Sequence, residues 1–308
     1  MSKKNPAGYI ALNKTGELAE RIDRAYEMLY SCRVCPRKCG VNRINDERGF
    51  CKTGLLPVIS SSGPHFGEEP PLVGRNGSGT VFVTNGNLAC KFCQNYDISQ
   101  CSHGNQISCE HLAGTMIRLQ QQGCHNINIV TPSHVIPQMM RAIKIAADQG
   151  LEIPIVYNCG GYDAVETLRL LDGIVDIYLP DAKYGSDDVA LALSHAPDYV
   201  ATMHAAIREM HRQVGDLVIE DGIGVRGLII RHLVLPENLA ASDRVFPWIA
   251  QEVSRNSYVN IMDQYRPFWH TGSSIGSVLP TSLHRKITPE EYRFAIRCAL
   301  DNGLHRGF

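Results

Sequence analysis

From Gly79 onward, short apolar runs alternate with amphipathic stretches. Six runs have the length and β-rich composition of strands: Thr80–Val83, Asn126–Thr131, Ile153–Tyr157, Val175–Leu179, Leu228–Leu235 and Tyr258–Met262. Between them, apolar residues recur at helical spacing. Leu112, Met116 and Leu119 mark one helix, ended by Gly123, and Met139, Ala142, Ile143 and Ala146 the next, ended by Gly150. A short helix follows Asp163, a candidate N-cap. Later helices carry Tyr199, Met203, Ala206, Ile207 and Met210, then Val245, Trp248, Ile249 and Val253, then Tyr292, Ala295, Ile296 and Ala299 before Gly303. Near the N-terminus, Leu18, Ile22, Ala25 and Leu29 predict a helix over residues 16–30.

Six successive β–α units predict an α/β fold with a parallel sheet and helices outside it. Eight units close a full barrel, so six predict a partial (β/α)6 TIM-like barrel with an N-terminal cysteine-rich extension. A doubly wound sheet is the competing arrangement, and periodicity leaves it open. The segment SSSGPHFGEEPPLVGRNGSG is dense in Gly, Pro and Ser and reads as loop. The expected organisation is a helix and cysteine-rich segment at 1–60, a linker at 61–78 and the barrel at 79–308. His65, Glu68 and Glu69 fall in the linker, where solvated polar side chains are expected.

Composition narrows the function classes. The 308 residues carry 30 Lys plus Arg against 31 Asp plus Glu, so nothing points to a nucleic-acid or anionic-membrane partner. No apolar run is long enough to cross a bilayer, and MSKKNPAGYIALNKTGE has no signal-peptide core, so a cytoplasmic location is expected. Eleven cysteines in a reducing compartment favour metal or cluster ligation over disulfides. Cys109, Cys124 and Cys298 lie in helical patterns or beside a strand and are expected as apolar thiols. Cys32, Cys35, Cys39 and Cys51 form CxxCxxxC with a fourth cysteine beyond, on a Gly- and Pro-containing segment. That set suits a second metal site, with zinc or an iron–sulfur cluster equally compatible.

The carboxyl ends of the six strands are polar or carry special backbone residues. In order they are TNGNLACKFCQN with Cys90 and Cys93, then Thr131-Pro132-Ser133-His134, Asn158-Cys159-Gly160-Gly161-Tyr162 and Pro180-Asp181-Ala182-Lys183. Arg231-His232 lies within the fifth strand, which Pro236-Glu237-Asn238 follows, and Asp263-Gln264-Tyr265-Arg266-Pro267 follows the sixth. Singly, each has a bland account: Asp181 and Lys183 pairing with each other, His134 capping a helix, Gly160-Gly161 making a tight turn. Together they predict a site on one face, at the strand ends where α/β folds bind ligands. CxxC alone also suits a thiol redox pair, but that reading leaves the other strand ends unexplained.

NLACKFCQN, with HFGEEPPL, TPSHV, YNCGGYD, PDAKY, RHLVLP, YVNIMDQYRP and the N-terminal CRVCPRKCGVNR, resembles the radical S-adenosylmethionine (SAM) superfamily. The likeness is strongest to proteins similar to pyruvate formate-lyase activating enzyme, and it covers nearly the whole chain. It implies a [4Fe–4S] cluster that cleaves SAM reductively to a 5′-deoxyadenosyl radical for hydrogen abstraction. It also implies a reducing electron donor and a protein substrate that receives a glycyl radical. By motif position, Cys90 and Cys93 would be cluster ligands and Phe92 would lie by the adenine. Ser133 and His134 would stand near the methionine amino group. Asn158, Gly160 and Gly161 would line the ribose and methionine side, and Asp181 and Lys183 would form the D-x-K element.

One position departs from that pattern. The hallmark CxxxCxΦC, with Φ aromatic, puts its first cysteine four residues before the second, and here that position is Gly86. Glycine cannot ligate iron, and two thiolates are too few for the usual cluster. Cys101 and Cys159 are the candidate replacements. The competing expectation is a non-catalytic metal- or SAM-binding scaffold.

Overall fold

The computed structural model describes residues 7–267 and 281–308. Two helices open the chain, α1 (Gly8–Thr15) and α2 (Glu17–Glu27), where the periodicity predicts one. Gly16 separates them at φ 85°, a left-handed conformation that also satisfies a carbonyl at the end of α1. The cysteine-rich segment follows. Then come β1 (Val58–His65), α3 (Pro70–Val73), β2 (Ser78–Val83), α4 (Tyr96–Ser99) and β3 (Asn105–Gln106). The repeating part continues with α5 (Cys109–Gln121), β4 (Ile127–Val130), α6 (Ile136–Asp148), β5 (Ile155–Cys159), α7 (Val165–Leu170) and β6 (Ile177–Pro180). It ends with α8 (Asp187–Ser194), α9 (Tyr199–Val214), β7 (Val218–Glu220), β8 (Ile223–Leu233), α10 (Ser242–Glu252), β9 (Tyr258–Met262) and α11 (Pro289–Asp301).

The strands form one mixed nine-stranded sheet, ordered β3-β1-β2-β4-β5-β6-β8-β7 with β9 also on β8. β2, β4, β5, β6, β8 and β9 pair in parallel, each with the next in chain order. The order never reverses, so no switch point of the doubly wound kind occurs along these six. Among the described residues β9 does not pair with β2, and the sheet is not closed. The Gly positions expected past helix ends are in place: Gly123, Gly150 and Gly303 have φ of 84°, 92° and 83°.

The linker reading of 61–78 is corrected in part. Residues 58–65 are β1, antiparallel to β2, and 70–73 are helical. Ser-Ser-Ser-Gly-Pro has poor strand propensity, but the exposed edge of β2 supplies hydrogen-bond partners that override it. Asp163 is not the cap of α7, whose N-cap is Ala164. Asp163 is buried and accepts a 2.6 Å hydrogen bond from Tyr157 Oη.

Strand alternation sorts the side chains into two layers. Ile127, Ile129, Ile155, Tyr157, Tyr178, Leu228 and Ile230 join the main core with the helices, and Leu18, Ile22, Cys32 and Val34 of the N-terminal segment belong to that same core. The opposite face holds a smaller apolar plug of Leu72, Val156, Ile177, Leu179, Leu217 and Ile229. Continuing the same alternation toward the carboxyl ends, that face carries Asn158, Asp181, Arg231 and Asn260. The fold therefore sets a polar layer on an apolar floor. No helix among the described residues is long and apolar enough to cross a membrane.

Candidate functional site

Backbone register builds the polar layer. Asp181 bridges to Arg231 across β6 and β8, and Arg231 is paired with Asn260 across β8 and β9. The three therefore lie in one row on one face. Arg231 Nε donates to Asp181 Oδ1 at 2.7 Å, and its Nη2 donates to Asn158 Oδ1 at 2.6 Å. Lys183 Nζ donates to the other Asp181 oxygen at 2.5 Å. Glu68 approaches Arg231 to 4.0 Å, and Asn260 Nδ2 donates to Glu69 Oε1 at 2.9 Å. Lys183, Asp181, Arg231 and Glu68 keep between 9% and 19% of their side-chain surface exposed, so the row is sunk but open at the mouth.

The charges set one another. Burial opposes ionisation of Asp181, but Arg231 and Lys183 outweigh it and hold the carboxyl below its ordinary value. Burial would lower Lys183, and Asp181 with Cys90 holds the ammonium above its ordinary value. Burial pushes Glu68 up, with Arg231 as a partial counterweight. Beside this row, Glu69 Oε2 lacks a partner, as does the Asn128 amide, which faces Glu68 without completing a hydrogen bond. Solvated side chains are thus the wrong description of Glu68 and Glu69. The Pro70-Pro71 start of α3 turns both inward, and this is the pairing that sequence reading missed.

The loop after β2 lies across the mouth. Ala89 N and Lys91 N donate to the carbonyls of Ser194 and Leu193 at the end of α8, at 3.1 and 2.8 Å. Phe92 packs edge-to-face on Tyr265, 5.8 Å between centroids, and Gln94 Nε2 donates to Gln264 O at 3.0 Å. The loop from the first parallel strand thereby reaches residues following the last. Ser194 Oγ donates to Cys90 Sγ at 2.9 Å and Ser99 Oγ to Cys93 Sγ at 3.2 Å. Burial raises the Cys90 thiol, while Lys183 pulls it back toward the thiolate.

Gly161 is required by close approach: at φ 73°, a Cβ there would stand 2.2 Å from Asp181 O, whereas one on Gly160 would meet only the end of the flexible Leu88 side chain, at 2.6 Å. Tyr199 Oη knits this corner together. It lies 3.0 Å from the carbonyls of Gly160 and Asp181 and accepts from Lys183 N at 3.0 Å.

Ser133 and His134 take other places. Ser133 is buried beside Asp163 and Tyr157. His134 does not cap α6, whose N-cap is Val135. The His134 ring is buried with Nε2 3.1 Å from Thr84 O, and burial followed by the nearby Arg43 lowers its pKa to about 3, which leaves it neutral. Thr131, ahead of them, has φ 61°, a strained conformation for a β-branched residue.

Gly86 opens on a cavity of about 300 Å³ lined by Phe50, Cys51, Lys52, Asn85, Leu88 and Gln100, among others. Neither candidate replacement thiol lines it. Cys159 points to the helix layer, away from Asn158, and Cys101 is exposed after α4. A second cavity, about 330 Å³, is lined by Val234, Leu235, Glu237, Asn238, Glu290, Glu291 and Phe294, with neither thiol nor cation. No three His, Cys, Asp or Glu side chains among the described residues already surround one point at metal-binding distance. Of the thiols expected to be apolar, Cys109 and Cys124 are buried and Cys298 is half-buried.

Sheet, floor and charged mouth define an α/β protein whose polar chemistry collects at the carboxyl ends of its parallel strands. No protein-family model matches the chain. It is similar to the uncharacterized protein MJ0674 of Methanocaldococcus jannaschii, 31% identical over 287 residues that cover 91% of this chain and 77% of the archaeal one. The chain belongs to the family of that protein.

Proposed function

We propose that the chain is a radical SAM-type protein of the activating-enzyme-like subgroup, on a partial (β/α)6 barrel, that binds SAM but lacks one cluster ligand. The observation that carries this reading is the buried Glu68–Arg231–Asp181–Lys183 row beneath the Cys90–Cys93 loop. Such a mouth suits a zwitterionic nucleoside. Arg231 and Lys183 offer cations to a carboxylate, and Glu68 and Glu69 offer anions to an ammonium or sulfonium. The unpartnered Asn128 amide and Glu69 Oε2 supply hydrogen-bonding capacity that a ligand would complete. Phe92 and Leu88 offer apolar surface for a base.

The donor set does not fit a three-thiolate cluster. Cys90 and Cys93 are in place, but Gly86 contributes no side chain, Cys101 and Cys159 do not line its cavity, and Cys51, which does, belongs to the N-terminal cysteine set. Reductive cleavage of SAM is therefore not assigned to this sequence, and the scaffold reading takes precedence over the enzyme. Eleven free thiols suit a reducing cytoplasm. Equilibrium dialysis with labelled SAM tests the reading. Saturable binding should weaken at least about tenfold in Arg231→Met, as expected for loss of a charged contact. Equal binding by the two proteins, or none by the wild type, would overturn it.

A further inference from the structure

Of the four N-terminal cysteines, Cys51 borders the Gly86 cavity and the others lie behind it, in a segment that is closely organised. Cys32 N donates to Val41 O at 2.9 Å and Gly40 N to Cys32 O at 3.0 Å, which folds residues 32–41 back on themselves. Two tight turns follow, with Lys38 N on Cys35 O at 3.1 Å and Lys52 N on Gly49 O at 3.0 Å. Each turn carries one cysteine, Cys35 and Cys51. The Cys39 thiol meets that of Cys32 and lies against Gly49, where a Cβ would come within 2.5 Å of Cys39 Sγ. Cys35 lies within electrostatic range of Cys51, Cys32 and Cys39. The four thiols thus lie near one another without yet surrounding one point.

A second observation is independent of the thiols. Arg43 is 1% exposed, and its Nη1 contacts Cys32 Sγ at 3.9 Å while Nη2 has no partner. Arg37, stacked 3.7 Å over Phe50, also has a buried Nη2 without a partner. Neither guanidinium has a carboxylate within ion-pair distance among the described residues. A sunken cation and a half-buried one, both lacking anions, are costly unless a negative group stands beside them. Four thiolates around a divalent ion carry a net charge of −2, which matches the pair.

We propose that Cys32, Cys35, Cys39 and Cys51 bind one divalent ion, zinc by preference, as a closed four-thiolate site, with Arg43 and Arg37 as its counter-charges. A tetrahedral ion with Zn–S near 2.3 Å needs sulfurs about 3.8 Å apart. Ion entry draws the sulfurs together by side-chain rotation. The site also reaches the mouth. Arg43 Nη1 donates to His134 O at 2.6 Å, His134 holds Thr84 O, and Phe50, Cys51 and Lys52 wall the Gly86 cavity.

The test uses the full chain carrying Cys90→Ser and Cys93→Ser, so that metal at the mouth does not contribute and the result is independent of SAM binding. Zinc content should be one per chain, and cobalt substitution should give the sulfur-to-metal charge-transfer bands of four thiolates. Adding Cys51→Ser should shift those bands to a three-thiolate pattern. Arg43→Met should weaken zinc about tenfold or more against a chromophoric chelator, while Arg43→Lys should retain most of the affinity. Absence of metal, iron with sulfide in place of zinc, a cobalt spectrum unchanged by Cys51→Ser, or an Arg43→Met protein with undiminished affinity would each overturn the proposal.

Discussion

Replacing Asp181 with Asn tests the charged row most sharply. Asp181 receives Arg231 at 2.7 Å and Lys183 at 2.5 Å, with 12% of its side chain exposed. The substitution keeps the shape and removes the one anion that both cations touch. Breaking a buried pair by removing one partner costs about 3–5 kcal/mol. The partial opening of the row and relaxation of Lys183 toward the neutral amine favour the lower half of that range. With about 2.1 cal/mol/K of unfolding entropy per residue, a chain of this length should lose roughly 5–6 °C of Tm. Differential scanning calorimetry at neutral pH measures this directly. Adding Lys183→Met to Asp181→Asn should recover part of the loss, since it removes the cation left stranded. An Asp181→Asn protein melting within about 1 °C of wild type would refute the claim that this row is sunk and mutually compensated.

Other outcomes follow from neighbouring features. Tyr199→Phe leaves Lys183 N–H and two carbonyls without their hydroxyl partner and should cost about 1–3 kcal/mol in urea unfolding, with the m-value unchanged. Asp176 accepts from Gly8 N and Ile155 N, and burial raises its pKa from 3.8 to about 6. A raised carboxyl binds its proton more tightly in the folded state, so its contribution to stability is full below about pH 4 and is lost as pH rises through about 6. The difference in melting temperature between wild type and Asp176→Asn should therefore change across that window, and a difference flat from pH 4 to 7 would refute the assignment. Thr288→Ala removes the reciprocal cap with Glu291 and should cost about 1 kcal/mol by the same unfolding assay.

What was legible in the sequence followed from how strongly local physics fixes each feature. The six parallel strands are apolar on both faces along most of their length, so they stand out, and Tyr258–Met262 has the expected bounds. Their polar ends were legible for the same reason, as breaks in the apolar pattern. β1 was not, because its Ser- and Gly-rich residues pair only where β2 offers an edge. Glu68 and Glu69 looked solvated because a loop gives no clue to which way it folds, and only the docking of α3 under the sheet turns them inward. His134 was expected beside the cofactor or as a helix cap, and its buried place against Thr84 and Arg43 was not legible, since sequence shows a residue's chemistry but not its neighbours. Arg231 was visible as a charge inside a strand. Its partners became clear only from the register that sets Asp181 and Asn260 beside it.

Position 86 decides between scaffold and enzyme. The backbone there is not left-handed, and a Cβ would meet Thr131 Cγ2 at 3.1 Å, so a cysteine fits if the threonine yields by a few tenths of an ångström. The direct measurement is 5′-deoxyadenosine formed from SAM after anaerobic reconstitution with iron, sulfide and a strong reductant, comparing wild type with Gly86→Cys. Both proteins should bind SAM, and product above background should come from Gly86→Cys alone. Product from the wild-type chain would contradict this expectation, and so would a Gly86→Cys protein that takes up a cluster and binds SAM yet leaves it intact.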